Sequence, residues 1–208
     1  MNRDHCRALL RLEPRLAAWT DRLGPVELSF DQSRDPYQAL VRSVVYQQLS
    51  GAAARTIFGR FKALFPKERF PRPESVLARD PEELRGAGLS RAKALAIRDL
   101  AERKKLGELP TARQAERMSD EDLIEILTQA RGVGPWTVQM YLIFRLGRPD
   151  VWPSADLGVQ KGFQILCRQR TRPDARKLEI AGEKFRPYRS TAALYCWRIA
   201  DFAKGDRP

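Results

Sequence analysis

LIEILTQARGVGPWTVQMYLIFRLGRPDVWPSADLGVQKGF, residues 123–163, places a glycine-rich turn between two helix-like apolar runs and follows it with another helix start. Gly132 and Gly134 flank Val133, which allows a tight turn whose backbone comes close to whatever lies outside it. Pro135 then stands where a new helix begins, a position at which its missing N–H is no loss. Downstream, Ser154 and Asp156 supply the oxygen acceptors and negative charge that a helix N-terminus favours. A glycine turn feeding a helix leaves N–H groups available to an anion. It is not a dinucleotide fingerprint, because the third glycine is absent and no strand precedes it. Taken separately, each feature also has an ordinary reading, as an inter-helix turn and a capping aspartate.

Charge suggests a partner for the turn. Lys and Arg total 38 against 26 Asp and Glu, a net +12. Such an excess favours polyanions, nucleic acid above all, because each phosphate neutralised releases condensed counterions. At 208 residues, with 43% hydrophobic and 31% charged residues, the chain is a globular protein of one large domain or two small lobes. Cys6, Cys167 and Cys196 lie far apart and form no CxxC pair, which argues against a zinc site, a disulfide framework and a four-cysteine iron–sulfur cluster. The single histidine, His5, is read as solvated, and no transition-metal cluster can be assembled around it. The opening MNRDHCRALLRLEPR has no apolar h-region, and no run approaches the ~18 apolar residues that span a bilayer. The expectation is an intracellular protein, cytoplasmic in a bacterium or nuclear in a eukaryote, with no membrane partner.

Working outward, the pattern is helical throughout. Residues 4–23 carry Leu9, Leu10, Leu12, Leu16 and Trp19 at helical spacing with a break at Pro14, and VELSFD (26–31) is read as extended loop. PYQALVRSVVYQQLS opens with Pro36 suited to a first turn, and Gln47, Gln48, Leu49 and Ser50 end that helix before Gly51. AAARTIFGRFKALF stacks Ile57, Phe58, Phe61, Leu64 and Phe65, with Arg55, Arg60 and Lys62 on a basic side. Short helices are expected around LRGAGLS, then a longer one capped by Ser90, and another capped by Ser119. The C-terminal third repeats this style in DLGVQKGFQILCR, DARKLEIAGEKF and PYRSTAALYCWRIADF. The reading is all-α, with seven to ten helices in two packed lobes separated by a cleft.

Aromatic residues complete the set. Among Trp136, Trp152, Trp197, Tyr141, Tyr188 and Tyr195, Tyr141 and Trp152 are read as core. A pocket for an extruded base, however, needs flat aromatic faces, and tryptophan is the best partner if the base is cationic. Three segments, VYQQLSGAAA (45–54), GLSRAKALAI (88–97) and GVGPWT followed by PSADLGVQKG, resemble the helix-hairpin-helix (HhH-GPD) DNA glycosylases. The chain is most similar to their DNA-3-methyladenine glycosylase II group. The resemblance covers about residues 36–203 of a single domain, with the hairpin motif at about 123–146. About 35 residues before Pro36 leave no room for the N-terminal β-rich domain of the best-known bacterial member.

What the resemblance implies is specific. Asp156 matches the family's essential aspartate, Trp136 and Trp197 the pocket tryptophans, and Tyr46 is placed in the base pocket with them. Gly132 and Gly134 would donate N–H groups to a phosphate, with Arg131, Val133, Thr137 and Lys161 also at the DNA, though Lys161 is equally read as solvated. Gln47, Gln48, Leu49 and Ser50 form the loop whose Gln48 or Leu49 fills the hole left by the flipped nucleotide. A monovalent cation would sit on the main-chain carbonyls of about Thr128, Ala130 and Val133; no other cofactor is required. Lysine occupies the Trp136 position in family members that also nick DNA, so tryptophan there implies base release without lyase activity. The implied activity is excision of 3-methyladenine- or 7-methylguanine-type bases from double-stranded DNA in base excision repair, by a monomer with its active site in the interlobe cleft. Two alternatives stand: a non-catalytic hairpin DNA-binding module in which Asp156 only caps a helix, and a glycosylase for deaminated or oxidised bases. The preferred lesion stays open.

Overall fold

The computed structural model describes residues 3–24, 26 and 33–205, and among these the chain is all-α, with no β-strand. It forms two compact units, residues 31–141 and residues 1–30 with 142–208. Residues 27–31 of the expected extended segment lie outside the described residues. The described residues hold thirteen α-helices rather than seven to ten. The excess comes from helices of five or six residues, Pro73–Leu77, Pro81–Gly86 and Ala112–Arg117, which are too short to show an apolar period. They are marked by caps instead: Asp80 with Glu83, and Thr111 with Gln114, both form reciprocal capping boxes.

In the unit of residues 31–141, helix Pro36–Tyr46 begins at a proline, and Asp35 caps it by accepting the Gln38 N–H at 3.1 Å. Helix Gly51–Ala63 follows, capped by Ser50. Helix Arg91–Lys105 is the platform of this unit, packing against Pro36–Tyr46, Pro73–Leu77 and Pro81–Gly86. Its buried face is Ala94, Ala96, Ile97, Leu100 and Ala101, small enough on one side for neighbouring backbone to come close. Helices Asp120–Leu127 and Pro135–Tyr141 form the hairpin, and the second packs on Pro36–Tyr46.

The other unit is built around helix Arg189–Ala203, in which every residue from Arg189 to Cys196 is buried, as expected of a helix surrounded on all sides. Helix Leu157–Leu166 lies along it. A Cβ on Gly162 would fall 1.8 Å from the Cys196 carbonyl oxygen, so only glycine permits this crossing. The N-terminal residues belong here too: helix Arg3–Leu12, a 3-10 turn Pro14–Leu16 and helix Ala17–Leu23 realise the expected break at Pro14. His5 corrects its expected solvation, since its ring lies 4.4 Å from that of Tyr188 and burial lowers its pKa. Tyr141 and Trp152 are buried as read, the Tyr141 hydroxyl donating to the Arg34 carbonyl and the Trp152 indole to that of Leu178.

Candidate active site

The hairpin starts from Ser119, whose hydroxyl accepts the Asp122 N–H at 3.0 Å and so caps helix Asp120–Leu127. The chain then turns through Gly132, which takes φ +73°, a conformation that costs an L side chain about 1–2 kcal/mol. The turn's N–H groups divide into two sets. That of Arg131 donates to Asp99 Oδ2 at 2.9 Å and that of Val133 to the Ala130 carbonyl at 3.1 Å. Those of Gly132 and Gly134 have no acceptor among the described residues. Next, Trp136 stands 44% exposed on the first turn of helix Pro135–Tyr141. Thr137, expected at the DNA, is only 3% exposed, its N–H donating to the Gly134 carbonyl at 2.9 Å, because a helix that turns Trp136 outward turns its successor inward.

The QQLS loop lies in the same unit and meets the hairpin directly. Gln47 donates its side-chain N–H to the Gly132 carbonyl at 3.0 Å. Gln48 and Leu49 are exposed at the tip, and Ser50 caps the following helix. Tyr46 is half-buried at the base of the loop, its ring 6.1 Å from Phe58 and covered by the Arg42 guanidinium at 4.5 Å.

In the other unit, Asp156 is the N-cap of helix Leu157–Leu166, so its ordinary reading is structurally correct: Oδ1 accepts the Val159 N–H at 2.8 Å. The same oxygen also accepts the Trp197 indole N–H at 2.8 Å. A cap needs no indole, and two donors on one oxygen fix the plane of the carboxylate. Gly158 makes the approach possible, because a Cβ there would lie 2.7 Å from Trp197 Cδ1 and 3.1 Å from Asp156 Oδ1. Beneath this pair the Cys196 thiol is fully enclosed, and burial pushes its pKa well up, which removes it as a nucleophile. Lys161 is exposed, donating to Gln164 Oε1 at 3.1 Å, and takes no part in the Asp156–Trp197 arrangement.

The loop that delivers Asp156 is anchored by residues that sequence reading passed over. Arg189 binds Asp150 through both carboxylate oxygens, at 2.9 and 3.0 Å. The Ser190 hydroxyl donates to the Arg148 carbonyl and accepts the Val151 N–H, while Gln160 Nε2 donates to the Ser154 carbonyl. Phe144, 37% exposed with its ring 5.6 Å from that of Trp197, was also missed, having the look of one more core residue in YLIFRL. The Gly158/Gly162 pair was the one available signal: glycines four apart share a helix face and mark a close neighbour.

The chain carries a glycine-turn hairpin and, in the second unit, a helix-capping aspartate bonded by a tryptophan. Residues 41–187 match the HhH-GPD superfamily of base excision DNA repair proteins, and the chain belongs to that family. It is similar to DNA-3-methyladenine glycosylase 1 of Schizosaccharomyces pombe, with 41% identity over 180 residues, 85% of this chain and 79% of the relative. Among solved structures, it is similar to the S. pombe 3-methyladenine DNA glycosylase in complex with abasic DNA, at a TM-score of 0.86, 36% identity and coverage of 94% of this chain and 95% of that one. It is similar, too, to a DNA-3-methyladenine glycosidase from Bacillus halodurans, at a TM-score of 0.84, 35% identity and coverage of 98% and 92%. No helix of the described residues is long and apolar enough to cross a membrane.

Proposed function

We propose that this chain is a monofunctional DNA glycosylase that flips alkylated bases of the 3-methyladenine and 7-methylguanine type out of duplex DNA and releases them by hydrolysis, as a monomer inside the cell. The observation that carries the reading is the pair of N–H donors on Asp156 Oδ1. Alkylation at N3 or N7 makes the purine a cation. When the C1′–N9 bond breaks, its electron pair neutralises the departing base and positive charge develops on the sugar, as in other glycoside cleavage. An ionised Asp156 held beside C1′ stabilises that charge and orients a water. The water oxygen bonds to C1′ and its proton passes to the carboxylate or to solvent. Trp136 offers a face for stacking but no amine for a Schiff base, so the reaction stops at the abasic site.

The free N–H groups of Gly132 and Gly134 suit a backbone phosphate. A monovalent cation would be held by the carbonyls of Thr128 and Val133, with that of Ala130, which already accepts one N–H, contributing its second lone pair. It would add positive charge to the phosphate-binding turn.

Asp156→Asn is the decisive variant, because asparagine caps a helix as well as aspartate does. The expected result is duplex affinity within about two-fold of wild type, an unchanged melting temperature, and base release from methylated duplex lowered by about 10³-fold. A mutant that still releases bases at the wild-type rate leaves Asp156 as a cap alone and returns the chain to a DNA-binding module. Competition with hypoxanthine- and 8-oxoguanine-containing duplexes separates the alkylated-base reading from one for deaminated or oxidised bases.

A further inference from the structure

Gln48 adopts φ +56°, a left-handed conformation uncommon for a residue with a side chain. Such a conformation persists only where its surroundings hold it, and here the hold comes from a neighbouring helix. Lys93 Nζ donates to the Val45 carbonyl and to the Gln47 carbonyl, both at 2.8 Å. These carbonyls close helix Pro36–Tyr46, where the last turn lacks intrahelical partners and the helix dipole favours a cation. Gln47 carries the constraint onward, its side chain donating to the carbonyl of Gly132 in the hairpin. Lys93 stands on the first turn of helix Arg91–Lys105, whose Asp99 accepts the Arg131 N–H from the same hairpin. Burial lowers the pKa of Lys93, yet both acceptors are neutral carbonyls. The ammonium group is kept there for its geometry.

We propose that Lys93 is a positioning residue: through its two carbonyl bonds and the Gln47–Gly132 bond, it holds the exposed Gln48–Leu49 tip in register with the phosphate-binding hairpin. Anchoring of the DNA backbone and insertion of the tip into the base stack then occur as one event. This rests on the glycosylase reading above, and it assigns a purpose to the lysine of GLSRAKALAI.

The test uses the full chain and two DNA probes: methylated duplex, and a duplex with a tetrahydrofuran abasic site beside 2-aminopurine, whose fluorescence reports insertion without any chemistry. Lys93→Met should lower single-turnover base release about ten-fold and suppress the 2-aminopurine change, with affinity for undamaged duplex within about two-fold. Lys93→Arg, which keeps the charge and several donors, should restore both signals. A Lys93→Met chain with the wild-type fluorescence change overturns the proposal, as does one whose loss of release is matched by an equal loss of undamaged-duplex affinity. Should Lys93→Met not fold, Gln47→Ala breaks the surface half of the same link and should reduce the fluorescence change; a wild-type signal there overturns the proposal too. If wild type gives the fluorescence change but releases no base, the glycosylase reading fails, and the Lys93→Met fluorescence comparison alone then decides whether Lys93 positions the tip.

Discussion

Asp156 and Trp197 are 41 residues apart, and the indole N–H reaches the carboxylate because Gly158 has no side chain in the way. Alanine at position 158 should therefore act on chemistry before it acts on stability. Its Cβ would press on two side-chain groups, Trp197 Cδ1 at 2.7 Å and Asp156 Oδ1 at 3.1 Å, which shift at a cost of about 1–2 kcal/mol. A displacement of about an ångström at a catalytic carboxylate is worth on the order of 10²-fold in rate. Gly158→Ala is expected to melt a few degrees lower and to lose most of its single-turnover base release. Gly162→Ala should do the reverse in emphasis, because its Cβ meets backbone, the Cys196 carbonyl oxygen at 1.8 Å, and the two helices must part. A loss of about 3 kcal/mol or more in urea unfolding is expected there. Were Gly158→Ala to turn over at the wild-type rate, the Trp197–Asp156 bond would not be what sets the carboxylate.

At the scale of elements, the hairpin's two glycines differ in what they require. Gly132 has positive φ and a Cβ would lie 3.3 Å from that of Ala96, whereas a Cβ on Gly134 would meet nothing within 4 Å. Gly132→Ala should lose about 1–2 kcal/mol and, by tilting the turn, weaken undamaged-duplex binding in fluorescence anisotropy about ten-fold. Gly134→Ala should be close to neutral in stability; equal destabilisation by the two would remove backbone strain as the explanation. This turn was readable from GVGPWT because its signals are local: glycine conformation, Pro135 at the helix start, and the Ser119 cap. Ser90 was equally local, and the helix it starts lies where its cap indicates. What stayed hidden depends on neighbours brought together by folding. Nothing local to Lys93 shows that Val45 and Gln47 will offer it carbonyls, and Arg189 and Asp150 are 39 residues apart. The burial of Thr137 was hidden for the same reason: a motif gives positions along a chain, whereas helix rotation decides which side faces out.

At the scale of the whole chain, one buried carboxylate joins distant segments of the unit that contains both chain ends. Glu13 is 2% exposed, and its oxygens accept Arg15 Nε at 2.6 Å, Arg15 Nη2 at 2.8 Å and Lys184 Nζ at 2.6 Å. Arg15 also reaches the Cys167 carbonyl, so the turn Pro14–Leu16 is pinned both to the end of helix Leu157–Leu166 and to the turn Glu183–Phe185. The Arg15 hydrogen bond, joined by Lys184, outweighs the burial penalty and lowers the Glu13 pKa from 4.5 to about 2. A carboxyl group whose folded pKa is depressed stabilises the fold above its unfolded pKa, and that contribution fades as pH falls. At ~1.4 kcal/mol per pKa unit, the contribution near neutral pH is at most about 3 kcal/mol. It should be complete above about pH 5 and vanish towards pH 2. Glu13→Gln removes the titrating group while keeping its size. In urea unfolding at pH 7 the variant should be less stable by about 2–3 kcal/mol, and the gap to wild type should close between pH 4.5 and 2. Arg15 and Lys184 are partly exposed and can turn to solvent in the variant, so an unpaired buried cation does not inflate the difference. A gap that stays constant from pH 7 to 2 would mean that Glu13 acts by packing, and that ionisation of this group is not what joins the N-terminal turn to the rest of its unit.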